Sequence, residues 1–150
     1  MQRVSGASVS IAGEVVGKIG SGLVVLIGVA SSDTEKDAQY LAQKIVTVRI
    51  FADSQGKFNL SALDINGELL AVSQFTLLAD TRKGRRPSFS EAAPPARAEE
   101  LFNQLVSGLR ASGLKVETGR FQQYMQVEIH NDGPVTILLD SQDKPYSLPA

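Results

Sequence analysis

Ser73-Gln74-Phe75-Thr76-Leu77 places two hydroxyls and an amide directly after the apolar run Leu69-Leu70-Ala71-Val72, where a strand gives way to a loop. Buried polar groups at such a junction need partners. They are either ordinary strand-end hydroxyls or the wall of a polar pocket whose backbone amides hold an oxyanion. A few residues on, Arg82-Lys83-Gly84-Arg85-Arg86 gathers four cations into five positions. Such a loop is either solvated or a grip for phosphate oxygens, and the nearby Phe89 either covers a ribose or base or pins the loop to the core. The third segment, Asn131-Asp132-Gly133-Pro134-Val135-Thr136, has the makeup of a hairpin turn. A cis Gly-Pro step there would instead aim its carbonyl oxygens where a trans bond cannot.

Much other chemistry is excluded. The 150 residues contain no Cys and a single His, so a disulfide framework, a thiolate zinc site, a cysteine nucleophile and a multi-His metal site are all ruled out. His130 sits next to a turn at the end of a strand with no diagnostic partner and reads as exposed or structurally bonded, which makes a His-based triad a poor expectation. Asp33, Glu35, Asp37, Glu99 and Glu100 fall on helix faces, where charge is normally solvated. Asp64 and Asp80 stay unassigned and fit no metal-ligand spacing, so no metal is expected. Fifteen basic and 16 acidic residues give a formal charge of -1, hence no global pull toward nucleic acid or an anionic membrane. Met1 to Ser5 lacks signal-peptide character and Ile19 to Ser32 is too short and glycine-rich to span a bilayer, so a cytoplasmic location is expected.

The elements that must position these segments follow from periodicity. Val15–Ile19 and Leu23–Val29 are two β-favouring runs around Gly20-Ser21-Gly22 and predict a hairpin. The second run is apolar at consecutive positions, which calls for burial on both faces. From Ser32 to Arg49 the period turns helical through Ala38, Leu41, Ile45 and Val48, with Ser32 and Glu35 spaced as a capping box. A polar turn at 53–57 precedes the strand 69–73. Pro94 and Pro95 open a second one-sided helix that Gly113 would cap. Val116, a turn at Gly119, a strand Met125–His130, the turn at 131–134 and a strand Val135–Leu139 complete the order. Gln142 to Ala150 reads as a polar tail. These elements predict one α+β layered domain over 1–140, followed by a tail over 141–150.

Taken together the three segments resemble the D-aminoacyl-tRNA deacylases (the D-tyrosyl-tRNA deacylase family), hydrolases that remove D-amino acids from tRNA. The resemblance rests on 73–77, on Ala79-Asp80-Thr81-Arg82-Lys83-Gly84-Arg85-Arg86-Pro87-Ser88-Phe89 and on 131–136. It extends more weakly through Gln2-Arg3-Val4, Ala7-Ser8-Val9, Arg49-Ile50-Phe51 and Thr118-Gly119-Arg120-Phe121. It implies a three-layer β/β/α domain with a mixed, mostly antiparallel sheet and two amphipathic helices, working as a homodimer. Ser73, Gln74, Phe75 and Thr76 would carry the catalytic segment. Gly133 and Pro134 of the other subunit would exclude L-amino acids from the pocket, so that D-residues and glycine on a non-cognate tRNA are released. Arg3 would brace the Gly-Pro segment and Met125 close the pocket, with Asn131, Val135 and Thr136 in support. Arg82, Lys83, Arg85 and Arg86 would bind tRNA.

The same resemblance implies no cofactor, no membrane and no DNA partner. It lets the tRNA's own 2′-hydroxyl replace a protein base and ranks Thr76 low as a nucleophile, because nothing in the sequence would activate it. Two departures stand out. The start at Met1-Gln2-Arg3 leaves few residues before Arg3, which either weakens the first strand or reflects the chosen start codon. Gln122-Gln123-Tyr124 replaces smaller residues and either narrows the pocket rim or faces solvent. A non-catalytic RNA-binding module and a purely structural assembly domain are the competing classes.

Overall fold

The computed structural model describes residues 1–143. In chain order the elements are β1 (Gln2–Ile11), β2 (Glu14–Ile19), β3 (Gly22–Ile27), α1 (Glu35–Thr47), β4 (Phe51–Ala52), β5 (Phe58–Leu60) and β6 (Glu68–Ser73). A short 3-10 helix (Phe75–Leu78), α2 (Pro95–Ala111), β7 (Val116–Thr118), β8 (Gln126–Thr136) and a 3-10 turn (Ser141–Asp143) follow.

In the main sheet one edge of β1 pairs with β2 and then with β3, its other edge pairs with β8, and β6 and β7 follow beyond β3. β1 pairs antiparallel with β2, β3 and β8, whereas β3–β6 and β6–β7 are parallel. Each parallel pair needs a crossover, and α1 and α2 lie on those crossovers. The fold is therefore the expected α+β domain in three layers. Leu23, Val25, Leu69 and Ala71 point into the core shared with α1 and α2. Their alternates Val24, Leu70 and Val72 enter a second core with Val4, Val9 and Ile19 of β1 and β2. β3 and β6 are thus buried on both faces, as their unbroken apolar sequences predict. The two helices approach closely where a β-carbon on Gly108 would fall 2.8 Å from the Ala42 β-carbon.

Four local expectations are corrected. Residues 15–29 do not form a hairpin, since β2 and β3 run on in the same direction along one edge of β1, Ile19 opposite Ala7 and Gly22 opposite Val4. The true hairpin is β1–β2 through Ala12 and Gly13, both at positive φ (+50° and +83°), the backbone of a two-residue primed turn. Gly22 is small for another reason: a β-carbon there would sit 1.8 Å from the Glu68 carbonyl oxygen, so glycine is what lets β3 start flush against β6. The capping box forms at Thr34 and Asp37, with Asp37 Oδ2 accepting from the Thr34 amide (2.8 Å) and hydroxyl (3.0 Å), because the Ala30–Asp33 turn already takes up Ser32.

The expected turn at 131–134 is a bulge inside β8, and both of its flanks pair with β1. Val4 opposes Asn131 and Gln2 opposes Thr136, so two steps along β1 match five along β8. β1 itself is not weakened, being ten residues long and bonded on both edges from Gln2 onward. Of the tail, Ser141 is buried and the turn it begins is described. Residues 144–150 lie outside the described residues.

Candidate active site

β6 ends at Ser73, and the chain turns at once into the 3-10 helix. The Gln74 amide donates to the Ile27 carbonyl at the end of the adjacent β3 (2.7 Å), and the Leu77 and Ala79 amides close the turn onto the Gln74 and Thr76 carbonyls. Phe75 and Thr76 supply the first amides of that helix, where a 3-10 turn offers no intrahelical acceptor. Two donors are thereby left at the mouth of the sheet. Gly28 permits this seat, because a β-carbon there would meet Leu77 Cβ at 3.1 Å and the Gln74 carbonyl oxygen at 3.3 Å. The Thr76 hydroxyl accepts from the Gln74 side-chain amide, which is a donor and not a base.

Loop 79–89 grows directly from this turn. Asp80 and Ser88 exchange both backbone hydrogen bonds (2.8 and 2.9 Å), tying the base of the loop. The Asp80 carboxylate accepts from the Arg82 amide (3.0 Å), Nε (2.9 Å) and Nη2 (2.7 Å). Arg82's hydrogen bonds hold that carboxyl below its usual range and the carboxylate raises the guanidinium in turn. A lowered carboxyl means the pair is intact at neutral pH and opens only as pH falls below the ordinary 3.8 and through the lowered value. Lys83, Arg85 and Arg86 project into solvent with no hydrogen-bond or ion-pair partner among the described residues. Phe89 packs its ring edge-on to Phe75 at 5.0 Å, so it pins the loop to the turn; the Phe75 ring is still 57% exposed.

The β8 bulge is built differently. Arg3, its side chain only 14% exposed, donates from Nε to the Asp132 carbonyl (3.0 Å) and from Nη1 to the Ile50 carbonyl (2.8 Å). Its guanidinium also lies 5.3 Å from the Phe58 ring centre. Asn131 spans the bulge, accepting from the Val135 amide (2.9 Å) and donating to the Thr136 hydroxyl (3.2 Å). At the tip the Gly133–Pro134 peptide is cis and Gly133 has φ +136°. A β-carbon there would lie 2.8 Å from Val135 Cγ2 and 3.1 Å from Arg3 Nη2, so only glycine fits. Gly133 and Pro134 are exposed.

Within one chain, then, the residues fall into two groups. Ser73, Gln74, Phe75, Thr76, Arg82, Lys83, Arg85 and Arg86 share one segment. Arg3, Asn131, Gly133, Pro134, Val135 and Thr136 gather on β1 and β8, two and three strands away from β6. Met125 packs against the second core, and its sulfur accepts from the Arg120 amide (3.4 Å), beside Gly119, whose amide donates to the Ala71 carbonyl on β6 (3.4 Å). Gln122, Gln123 and Tyr124 face solvent, Tyr124 at 96% exposure. His130 is exposed and bonded to Glu128 (2.9 Å). Sequence reasoning passed over Asp80, although Asp-x-Arg is a spacing at which a carboxylate reaches back to the amide two residues on. It also missed Gly28, the Ile50 carbonyl and Phe58, which only the fold brings into place.

An α+β domain whose mixed sheet ends in exposed backbone donors beside a basic loop is suited to an anionic, RNA-borne ester. The profile of the D-Tyr-tRNA(Tyr) deacylases matches residues 1–140, and the chain belongs to this family of hydrolases. It is 60% identical over 144 residues to a D-aminoacyl-tRNA deacylase of Dehalococcoides mccartyi (96% of this chain, 94% of that one). It is 58% identical over 142 residues to another from Thermosipho africanus (95% of each). Among solved structures, one titled c-Myc DNA Unwinding Element Binding Protein superposes with TM-score 0.87 at 43% identity, covering 93% of this chain and 95% of that one. A probable eukaryotic D-amino acid tRNA deacylase shares the fold at TM-score 0.79 and 15% identity, over 89% and 92% of the two chains.

Proposed function

We propose that the protein hydrolyses the ester bond of D-aminoacyl-tRNA, and of glycine carried on a non-cognate tRNA, releasing the free amino acid and tRNA. The observation that carries this reading is the turn at Phe75 and Thr76: two free backbone donors, with no carboxylate or imidazole hydrogen-bonded to the adjacent hydroxyl among the described residues. Hydrolysis of an already activated ester needs its carbonyl polarised, a water positioned and a ribose oxygen released. Donors aimed at the developing oxyanion supply the first of these, and fixed placement of the terminal ribose supplies much of the rest. The 2′-hydroxyl of the terminal adenosine is the group that assists in place of a protein base.

Chirality is read by exclusion. In a homodimer the bulge of one subunit faces the turn of the other, and the Gly133 and Pro134 carbonyl oxygens form a wall that an L side chain meets and a D side chain avoids. Its exposure, together with the clamp of Arg3 and Asn131, supports a rigid element made for a partner rather than for its own chain. The basic loop of Arg82, Lys83, Arg85 and Arg86 holds the acceptor-stem phosphates. We place the enzyme in the cytoplasm, where aminoacyl-tRNA is made, and no helix among the described residues is long and apolar enough to cross a membrane. Purified protein incubated with D-Tyr-tRNA, L-Tyr-tRNA and Gly-tRNA should release the D and glycyl esters and leave the L ester intact. Equal rates on D and L would refute the filter.

A further inference from the structure

A carboxylate at the root of a loop meant to attract phosphate works against that loop's charge, yet Asp80 stands there with three hydrogen bonds from Arg82. We infer that Asp80 and Arg82 form a positioning clip, so that the RNA-gripping cations of this loop are Lys83, Arg85 and Arg86 and Arg82 is not one of them. The inference rests on the reading of loop 79–89 as the acceptor-stem grip.

The geometry supports it at three points. Both oxygens of Asp80 face the guanidinium, a bidentate arrangement that fixes direction as well as distance. The same carboxylate takes the Arg82 amide, so backbone and side chain of one residue are held together. The Asp80–Ser88 backbone bridge lies immediately below, and Phe89 beyond it touches Phe75 of the turn. A chain of contacts therefore runs from the tip of the loop to the two free amides, and the clip sets the angle at which gripped phosphates meet the ester. Arg82 is 87% exposed, which makes the pair a conformational device and not a source of stability.

The clip and a direct phosphate contact predict different outcomes. If Arg82 gripped phosphate, Arg82→Gln would weaken tRNA binding and flatten its salt slope by roughly 0.7–0.9, while Arg82→Lys would keep most function as a point charge. With a clip, Asp80→Asn and Arg82→Gln each lower kcat/KM on D-Tyr-tRNA several-fold, the double variant loses no more than either single, and Arg82→Lys does not rescue. The losses are smaller on 2′(3′)-O-D-tyrosyladenosine, which carries the ester but no acceptor-stem phosphates, and the salt slope of tRNA binding is unchanged in Arg82→Gln. A flatter salt slope in Arg82→Gln, additive losses in the double variant, or rescue by lysine would each overturn the clip. Wild-type protein that binds D-Tyr-tRNA without hydrolysing it would sink the deacylase reading instead, and the binding and salt-slope comparisons would still decide on Arg82.

Discussion

The turn at 73–78 and the bulge at 131–136 are both short, exposed and assigned to one site, yet they are held in opposite ways. The bulge is strapped from within its own sheet: β1 pairs with both of its flanks, and a largely buried Arg3 donates to carbonyls on two different segments. The turn has no such strap. It rests on backbone bonds to β3 and to itself, on the space that Gly28 leaves, and on one aromatic contact. A wall of the kind proposed to reject substrates must not yield, whereas donors presented by the main chain need only be placed. The bulge should therefore fail by loss of a side chain, and the turn by displacement of its backbone.

The largest effect is expected from Arg3→Ala. It strands the Asp132 and Ile50 carbonyls, and hydrogen bonds to a charged donor contribute about 1.5–3 kcal/mol each. Urea denaturation should show a loss of roughly 2–4 kcal/mol, accompanied by a fall in the D-to-L rate ratio as the bulge loosens. An unchanged ratio would mean that the clamp does not serve selectivity. Gly28→Ala tests the other side of the comparison. Its β-carbon must shift Leu77 and the Gln74 carbonyl by a few tenths of an ångström, so kcat should fall by about tenfold with KM for D-Tyr-tRNA and the D-to-L ratio preserved.

A smaller and more separable effect belongs to the loop. Replacing Arg85 and Arg86 by Ala together should weaken tRNA binding and flatten its salt slope by roughly 1.5, at about 0.7–0.9 for each phosphate that is no longer neutralised. Turnover of bound substrate should change little. Filter binding across a salt series checks this, and an unaltered slope would remove both residues from the RNA interface.

What the sequence disclosed and what it concealed divide along the same line. The helices were legible because their stripes are local, and the chemistry-bearing segments because each is contiguous. Strand partnership was not legible, since it is decided by residues far apart. Gly20-Ser21-Gly22 has the look of a hairpin turn, but Gly22 is there to let β3 meet the Glu68 backbone, while the real turn at Ala12-Gly13 carries no Asn-Gly signal. Asn131-Asp132-Gly133-Pro134 has every turn-forming residue and still is not a reversal, because β1 continues along both sides of it. Positions whose value is the space they leave, such as Gly28, have no sequence signature at all.

Thr76→Ala is the smallest expected change and the most pointed. A hydroxyl acting as nucleophile needs a base to take its proton, and the partner of the Thr76 hydroxyl is an amide donor from Gln74, which cannot accept that proton. Removing the hydroxyl leaves the Thr76 backbone amide, and with it the proposed oxyanion contact, in place. The rate on D-Tyr-tRNA should therefore stay within about tenfold of wild type, whereas deletion of an essential nucleophile costs many orders of magnitude. Single-turnover hydrolysis separates the two outcomes directly. Retention of most of the rate, set beside the tenfold loss in Gly28→Ala, would show that this turn works through where its backbone stands and not through the side chains it carries.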